Sequence, residues 1–69
     1  MNEWIAARAR ALGVDDLQPE EIATLLDLAG HAAHESGART NAPLLCYLVG
    51  RAQGERSLAE LEEIVRSTS

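Results

Sequence analysis

Three glycines, Gly13, Gly37 and Gly54, each follow a segment in which apolar residues recur at helical spacing. Helices commonly end at a glycine in the left-handed conformation, so each of the three indicates the end of a helix. A fourth segment with the same spacing opens at Ser57-Leu58-Ala59-Glu60, which matches the capping box of a helix N-terminus. The sequence therefore predicts an all-α fold. Four helices and no sheet are expected, near residues 3–12, 19–36, 42–53 and 58–66.

The length of the chain limits what these helices can enclose. With 69 residues, positions 1–69 are expected to form one helical domain. A domain of this size buries only about 60% of the surface of its unfolded chain. A pocket for a cofactor typically needs at least roughly 300 Å³, which so small a core can hardly spare. We therefore expect no cofactor and no enzyme activity.

The third segment is apolar on nearly every side, with an unbroken apolar run over residues 44–49. A helix of this kind is normally buried at the centre of a domain. We therefore expect a compact four-helix array in which the third helix is a buried central rod, and each of the others lays one face on it. The residues expected to lie deepest in this core are Leu26, Leu45, Leu48 and Val49.

Some residues have no assigned partner in this array and are candidates for an interface. Leu28 lies outside the predicted apolar face of the second helix, and Trp4 lies at the edge of the first. Cys46 and Gly50 belong to a stripe of small side chains where another helix, from this chain or a partner, can approach closely. Packing within the chain is the alternative for the stripe. For Trp4, the alternative is a ring that seals the end of the core.

The charge balance argues against several classes of partner. Six Lys and Arg residues oppose eleven Asp and Glu residues, so the net charge is −5. An acidic chain repels phosphate backbones, and we expect no nucleic-acid partner. No helix has the basic polar face of a membrane-surface helix, and we expect no membrane binding. The single cysteine allows no intramolecular disulfide, and no secretory signal is evident, so a cytoplasmic protein is expected.

Residues 37–41 lead directly into the N-terminus of the third helix, where free amides and the helix dipole favour an anion. Arg39 can hold a phosphate through two hydrogen bonds, and His34 lies near the end of the preceding helix. A small anion- or ligand-binding site is therefore one hypothesis. Its residues would be His34, Arg39, Thr40 and Asn41. The alternative is an ordinary cap and loop, and Pro43 removes one of the amides that a phosphate would use.

Two histidines three residues apart, His31 and His34, can meet on one helix face and invite a metal hypothesis. The zinc-protease motif places two histidines four residues apart with a glutamate between them, which this order does not match. A third ligand would have to be Asp27 or come from another segment. We expect no metal, and we expect Asp27 and His31 to form an i,i+4 pair.

Three ordered stretches resemble a small bacterial helical domain family of unknown function. They are Trp4 with Leu12-Gly13, residues 25–29 with Ala33-His34, and Arg39 with residues 42–44 and 47–50. That family occurs alone and fused to molybdenum-cofactor guanylyltransferase, the enzyme that attaches GMP to molybdopterin. The resemblance implies a setting in molybdenum-cofactor maturation and supplies no catalytic residues. The chain contains no Gly-rich nucleotide-binding loop, so it is not the transferase itself.

Three hypotheses about function follow. The first is a noncatalytic accessory module that binds a protein partner in molybdenum-cofactor maturation, with the guanylyltransferase as the candidate partner. The second is the anion- or ligand-binding domain at the start of the third helix. The third is a self-associating structural domain, because the abundant small apolar residues bury little area in a lone chain and a homodimer would cover more.

Overall fold

A computed structural model describes residues 2–68 and arranges them as four helices joined by short connections. The helices are α1 (Glu3–Leu12), α2 (Pro19–Ser36), α3 (Asn41–Gln53) and α4 (Leu58–Ser67). No strand occurs within residues 2–68. The predicted all-α fold of four helices is confirmed, with each boundary within one residue of its expected position.

Capping groups explain why the boundaries were predictable. The amide of Ile5 donates to Oδ1 of Asn2 at 3.1 Å, which opens α1. Gly13 and Gly37 end α1 and α2 in the left-handed conformation, with φ of 74° and 72°. Side chains other than glycine rarely adopt this conformation, so the chain turns away from the helix at these two positions.

The start of α4 follows its prediction in part. The amide of Glu60 donates to Oγ of Ser57 at 3.1 Å, as expected for an N-cap serine. The side chain of Glu60 makes no return bond to Ser57 in the described structure. A return bond of this kind forms instead at the start of α2, where the amide of Gln18 donates to Oε1 of Glu21 at 2.7 Å.

The core lies where α2, α3 and α4 meet. Leu28 of α2, Val49 of α3 and Leu61 of α4 form its buried centre. Partly buried residues packed against this centre are Leu25, Leu45, Leu58 and Val65. Because the centre contains one large side chain from each of three helices, the core is small, and each of the three contributes a large share of the stability.

Two of the four predicted core residues are wrong. Leu26 and Leu48 are 68% and 57% exposed, whereas Val49 is buried as predicted and Leu45 is half-buried. The α2 helix carries apolar residues over a wide arc, so more than one of its faces satisfies the helical period. The structure buries the face that contains Leu28, and a position two residues earlier is rotated by about 200° to the opposite side.

The prediction that Leu28 belongs to an interface is therefore wrong. It is completely buried at the centre of the core, where it contacts no solvent. The physical reason is the same choice of face. The side of α2 that packs on α3 and α4 is the side of Leu28 and Ala32, and not the side of Leu26.

The structure does not clearly show the predicted buried central third helix, because many residues of α3 are exposed. Val49 is the buried residue of α3, and Leu44, Tyr47 and Leu48 are exposed. The α1 helix does not lie on α3: within residues 2–68, no Cα atom of α1 is within 8 Å of a Cα atom in another helix. The buried centre of the core is therefore formed by α2, α3 and α4, and α1 buries Ala6 and Ala9 without adding a residue to that centre.

Candidate interaction surface

The molecule exposes more surface than its mass requires. Its accessible surface is 5409 Å² for 7.4 kDa, whereas a folded monomer of this mass normally exposes about 4,200 Å². The surplus is about 1,200 Å² by the same scaling. The radius of gyration of 12.4 Å also exceeds the value of about 11 Å that is typical of this length. Large apolar residues on this surface include Trp4, Leu12, Val14, Leu17, Leu26, Leu44, Tyr47, Leu48 and Ile64.

One group of these residues lies on α3. Leu44, Tyr47 and Leu48 are 60%, 67% and 57% exposed, and we call them the α3 face. Residues three and four apart are neighbours on a helix surface, so the three side chains are adjacent. Beside them, a groove of about 400 Å³ runs between α2 and α3. Its lining residues are His31, Ala32, Glu35, Ser36, Asn41, Leu44, Leu45 and Leu48.

The electrostatics of the α3 face differ from those of the rest of the chain. Although the chain contains eleven Asp and Glu residues, none of them lies between Ser36 and Gly54. The guanidinium carbon of Arg51 lies 5.8 Å from the ring centroid of Tyr47, within reach of a cation–π interaction. The α3 helix therefore presents large apolar side chains and an arginine on an otherwise acidic molecule.

A second apolar region lies where α1 stands away from the core. A cleft of about 190 Å³ separates α1 from α2, and we call it the α1–α2 cleft. It is lined by Asn2, Ile5, Leu17, Ile22, Leu25 and Leu26. Three of these residues also line an adjoining, wider depression, whose other lining residues are Glu3, Asp16, Gln18 and Pro19. The cleft thus combines an apolar floor with an acidic rim.

Of the predicted interface residues, Trp4 lies on the surface. Trp4 is 63% exposed, and the guanidinium carbon of Arg8 lies 3.8 Å from its ring centroid. The ring therefore does not seal the end of the core. The exposed cation–π pair is worth about 0.5–1 kcal/mol.

The stripe of small residues was expected either to pack within the chain or to receive a partner helix, and its members differ in the structure. Sγ of Cys46 lies 3.9 Å from the carbonyl oxygen of Leu25, so this position packs within the chain against α2. Gly50 is exposed, and a Cβ atom placed on it would meet no atom within 4 Å. No described helix of the chain approaches Gly50, and the predicted close approach does not form within the chain.

The structure places the predicted anion site at an exposed turn where the first two amides of α3 are already bonded. His34, Arg39 and Thr40 are exposed, and no hydrogen bond joins them within the described residues. The amide of Asn41 donates to the carbonyl of Ala38 at 3.0 Å, and the next amide donates to the carbonyl of Arg39 at 3.1 Å. Because these amides are occupied and position 43 is a proline, an anion finds no free donor at residues 41–43.

His31 and His34 do not form a common site in the described structure. Nδ1 of His31 lies 3.5 Å from a guanidinium nitrogen of Arg66 in α4, and Arg66 also donates to Oε2 of Glu62 at 3.1 Å. His31 therefore faces α4, and the predicted pair with Asp27 does not form among the described residues. Within residues 2–68, no three His, Cys, Asp or Glu side chains are grouped so that they could hold a metal ion.

Sequence reasoning missed both apolar surfaces. The α3 face was not predicted because α3 was expected to be a buried rod with Leu48 in the core, yet the stretch without Asp or Glu around it indicates a face that avoids charge. The α1–α2 cleft left no signal in the sequence, because it arises from the placement of α1.

None of the described helices is long and apolar enough to cross a membrane.

Comparison with protein-family models gives a match over residues 1–69 to a family described as Domain of unknown function (DUF6457). No curated protein and no solved structure matches the chain significantly.

Proposed function

The chain belongs to the DUF6457 family, and on this premise we propose that it is a noncatalytic interaction module whose α1–α2 cleft binds a segment of another protein. One observation carries the proposal. An apolar cleft of about 190 Å³ remains between α1 and α2, and Leu26, one of its lining residues, is 68% exposed. Exposed apolar surface that is rimmed by polar residues often marks a protein interaction site.

The chemistry of the cleft defines the segment that fits it. Its floor contains Ile5, Ile22 and Leu26, which accept an apolar side chain. Its rim carries the carboxylates of Glu3 and Asp16, which attract a positive charge. The partner segment is therefore an apolar residue or short helix flanked by arginine or lysine.

The partner that we propose is a molybdenum-cofactor guanylyltransferase. The support for this choice is the resemblance of three ordered stretches of the chain to a family that occurs fused to that enzyme. A domain that is fused in some proteins and separate in others commonly binds the other unit when it is separate. The setting would be the maturation of molybdopterin guanine dinucleotide.

The absence of catalysis is part of the proposal and rests on sequence arguments. The chain offers no Gly-rich nucleotide loop and no ordered nucleophile, base and acid. The lone cysteine packs against a backbone carbonyl of α2, whereas a catalytic thiol needs a neighbouring base and a positive field.

Isothermal titration calorimetry with the guanylyltransferase tests the proposal. Leu26→Arg places a charge on the exposed floor of the cleft and is expected to weaken binding by at least about tenfold. Asp16→Arg reverses a rim charge and is expected to slow association and remove part of its salt dependence. Leu12→Arg is the matched control, since Leu12 is 76% exposed and does not line the cleft.

Two results would contradict the proposal. No heat of binding with the guanylyltransferase would remove the named partner. Equal losses in the Leu26 and Leu12 variants would show that the cleft is not the binding site. Titration with phosphate and GTP examines the anion hypothesis in parallel, and binding that disappears in Arg39→Ala would revive it.

A further inference from the structure

We propose that the α3 face is an interface between two copies of this chain, packed with their α3 helices antiparallel across a two-fold axis. This interface is separate from the α1–α2 cleft, and its occupant does not depend on which partner the cleft binds. The area of the exposed surface, the distribution of charge and the spacing of the apolar residues on α3 support it.

The first support is area. The accessible surface of 5409 Å² exceeds the normal value for this mass by about 1,200 Å². A standard interface covers about 800 Å² on each partner, so a second copy that lies on the α3 face and the surface around it would return the exposed area of the chain toward the normal value. The two most central residues, Leu44 and Leu48, border a groove of about 400 Å³ that can receive a side chain from the second copy.

The second support is charge. Each copy carries a net charge of −5, so two copies repel each other over most of their surfaces. The α3 helix is the exception, because residues 36–54 contain no Asp or Glu. Two copies that meet at this helix bring together a surface on which α3 itself contributes no carboxylate. Glu35 of α2, which lines the adjoining groove, is the one carboxylate among the groove residues, so repulsion between the copies is smaller here than over the other helices.

The third support is symmetry. A two-fold interface uses the same patch on both copies, so the patch must be complementary to itself. Leu44 and Leu48 are four residues apart, and in an antiparallel pair centred between them, Leu44 of each copy lies opposite Leu48 of the other. The antiparallel arrangement also keeps the two Arg51 side chains at opposite ends of the contact and aligns the helix dipoles favourably.

Sedimentation equilibrium of the full chain, from low to high micromolar concentration, tests the interface. The unmodified protein is expected to form a reversible dimer. Leu48→Arg is expected to weaken dimerisation by at least about tenfold. Leu12→Arg, the same change on an exposed leucine outside the α3 face and the α1–α2 cleft, is expected to alter it by no more than about twofold. Circular dichroism confirms that each variant is folded.

A mixture of two variants tests the antiparallel geometry. Leu44→Glu and Leu48→Arg each weaken the homodimer, but in a heterodimer the new glutamate lies opposite the new arginine, and two leucines lie opposite each other at the second site. The mixture is therefore expected to dimerise at least about tenfold more tightly than either variant alone. An unimproved mixture would overturn the antiparallel pairing, and a parallel pair would produce that result.

Two further results would overturn the interface itself. One is an unmodified chain that remains a monomer at high micromolar concentration. The other is a Leu12→Arg variant that loses dimerisation as strongly as Leu48→Arg. If the chain is a monomer that still binds the guanylyltransferase, the dimer interface is wrong and the proposed function stands. If the chain is a dimer that does not bind the guanylyltransferase, the partner proposed for the cleft is wrong and the dimer interface stands.

Discussion

Leu28 lies two residues after Leu26 in α2, and the two leucines occupy opposite sides of the helix. Leu28 is 0% exposed and Leu26 is 68% exposed. Leu28 contacts the residues that hold α3 and α4 in place, whereas Leu26 lines the α1–α2 cleft. One side of α2 therefore stabilises the domain, and the opposite side forms part of the surface that we propose for a partner.

Leu28→Ala and Leu26→Ala are expected to differ sharply in stability. Removing the buried side chain of Leu28 leaves a cavity and typically costs about 2–5 kcal/mol, a large fraction of the stability of a small domain. We expect thermal unfolding followed by circular dichroism to show a melting temperature at least about 10 °C lower, or no folded state. Because Leu26 is exposed, Leu26→Ala is expected to change the free energy of unfolding by no more than about 0.5 kcal/mol. Similar melting curves for the two variants would place the core elsewhere.

Two glycine substitutions are expected to change the free energy of unfolding in opposite directions. Gly37 ends α2 with φ of 72°, where a Cβ atom is strained, so Gly37→Ala is expected to lower the stability by about 1 kcal/mol. Gly50 lies within α3, and a Cβ atom there would meet nothing within 4 Å. Gly50→Ala is therefore expected to raise the stability by about 0.5–1 kcal/mol. Urea unfolding measures both changes. A destabilised Gly50→Ala would show that another helix packs on this position in solution.

The hydroxyl of Ser57 is expected to contribute to the stability of α4. It accepts the amide of Glu60, and loss of such a cap costs about 1 kcal/mol. The matched control is Ser67→Ala at the other end of the helix, whose hydroxyl donates to carbonyls of its own last turn. Urea unfolding should show a lower midpoint for Ser57→Ala and little change for Ser67→Ala. Equal effects would mean that the cap does not anchor α4.

Chelation of metal ions is expected to leave the fold unchanged. The described side chains hold α2, α3 and α4 together through an apolar core, and His31 is directed toward Arg66. Circular dichroism spectra before and after addition of EDTA should superimpose. Loss of helix on chelation, restored by zinc, would show that the two histidines bind a structural metal.

The positions of the helices follow from local interactions, which is why they could be predicted. An N-cap side chain such as Asn2 satisfies an amide three residues away, and a glycine such as Gly37 ends a helix through its own conformation. These interactions connect neighbours along the chain. They do not depend on how one helix packs against another, so the pattern of residue types is sufficient to predict them.

The choice of buried face was decided only by the tertiary structure. The α2 helix is apolar on the side of Leu26 and on the side of Leu28, and either side has the helical period. The free energy of burial depends on which side faces α3 and α4, and that side is selected by contacts between residues far apart in the chain. The same contacts left Leu48 on the surface beside the buried Val49.

The sequence by itself therefore determined the number, bounds and caps of the helices, because these depend on neighbours within a few residues. The tertiary structure decided which apolar residues form the core and which form the α3 face and the α1–α2 cleft. The physical reason is that the chain has more apolar helix surface than three short helices can bury against one another, and only their packing determines which part remains exposed.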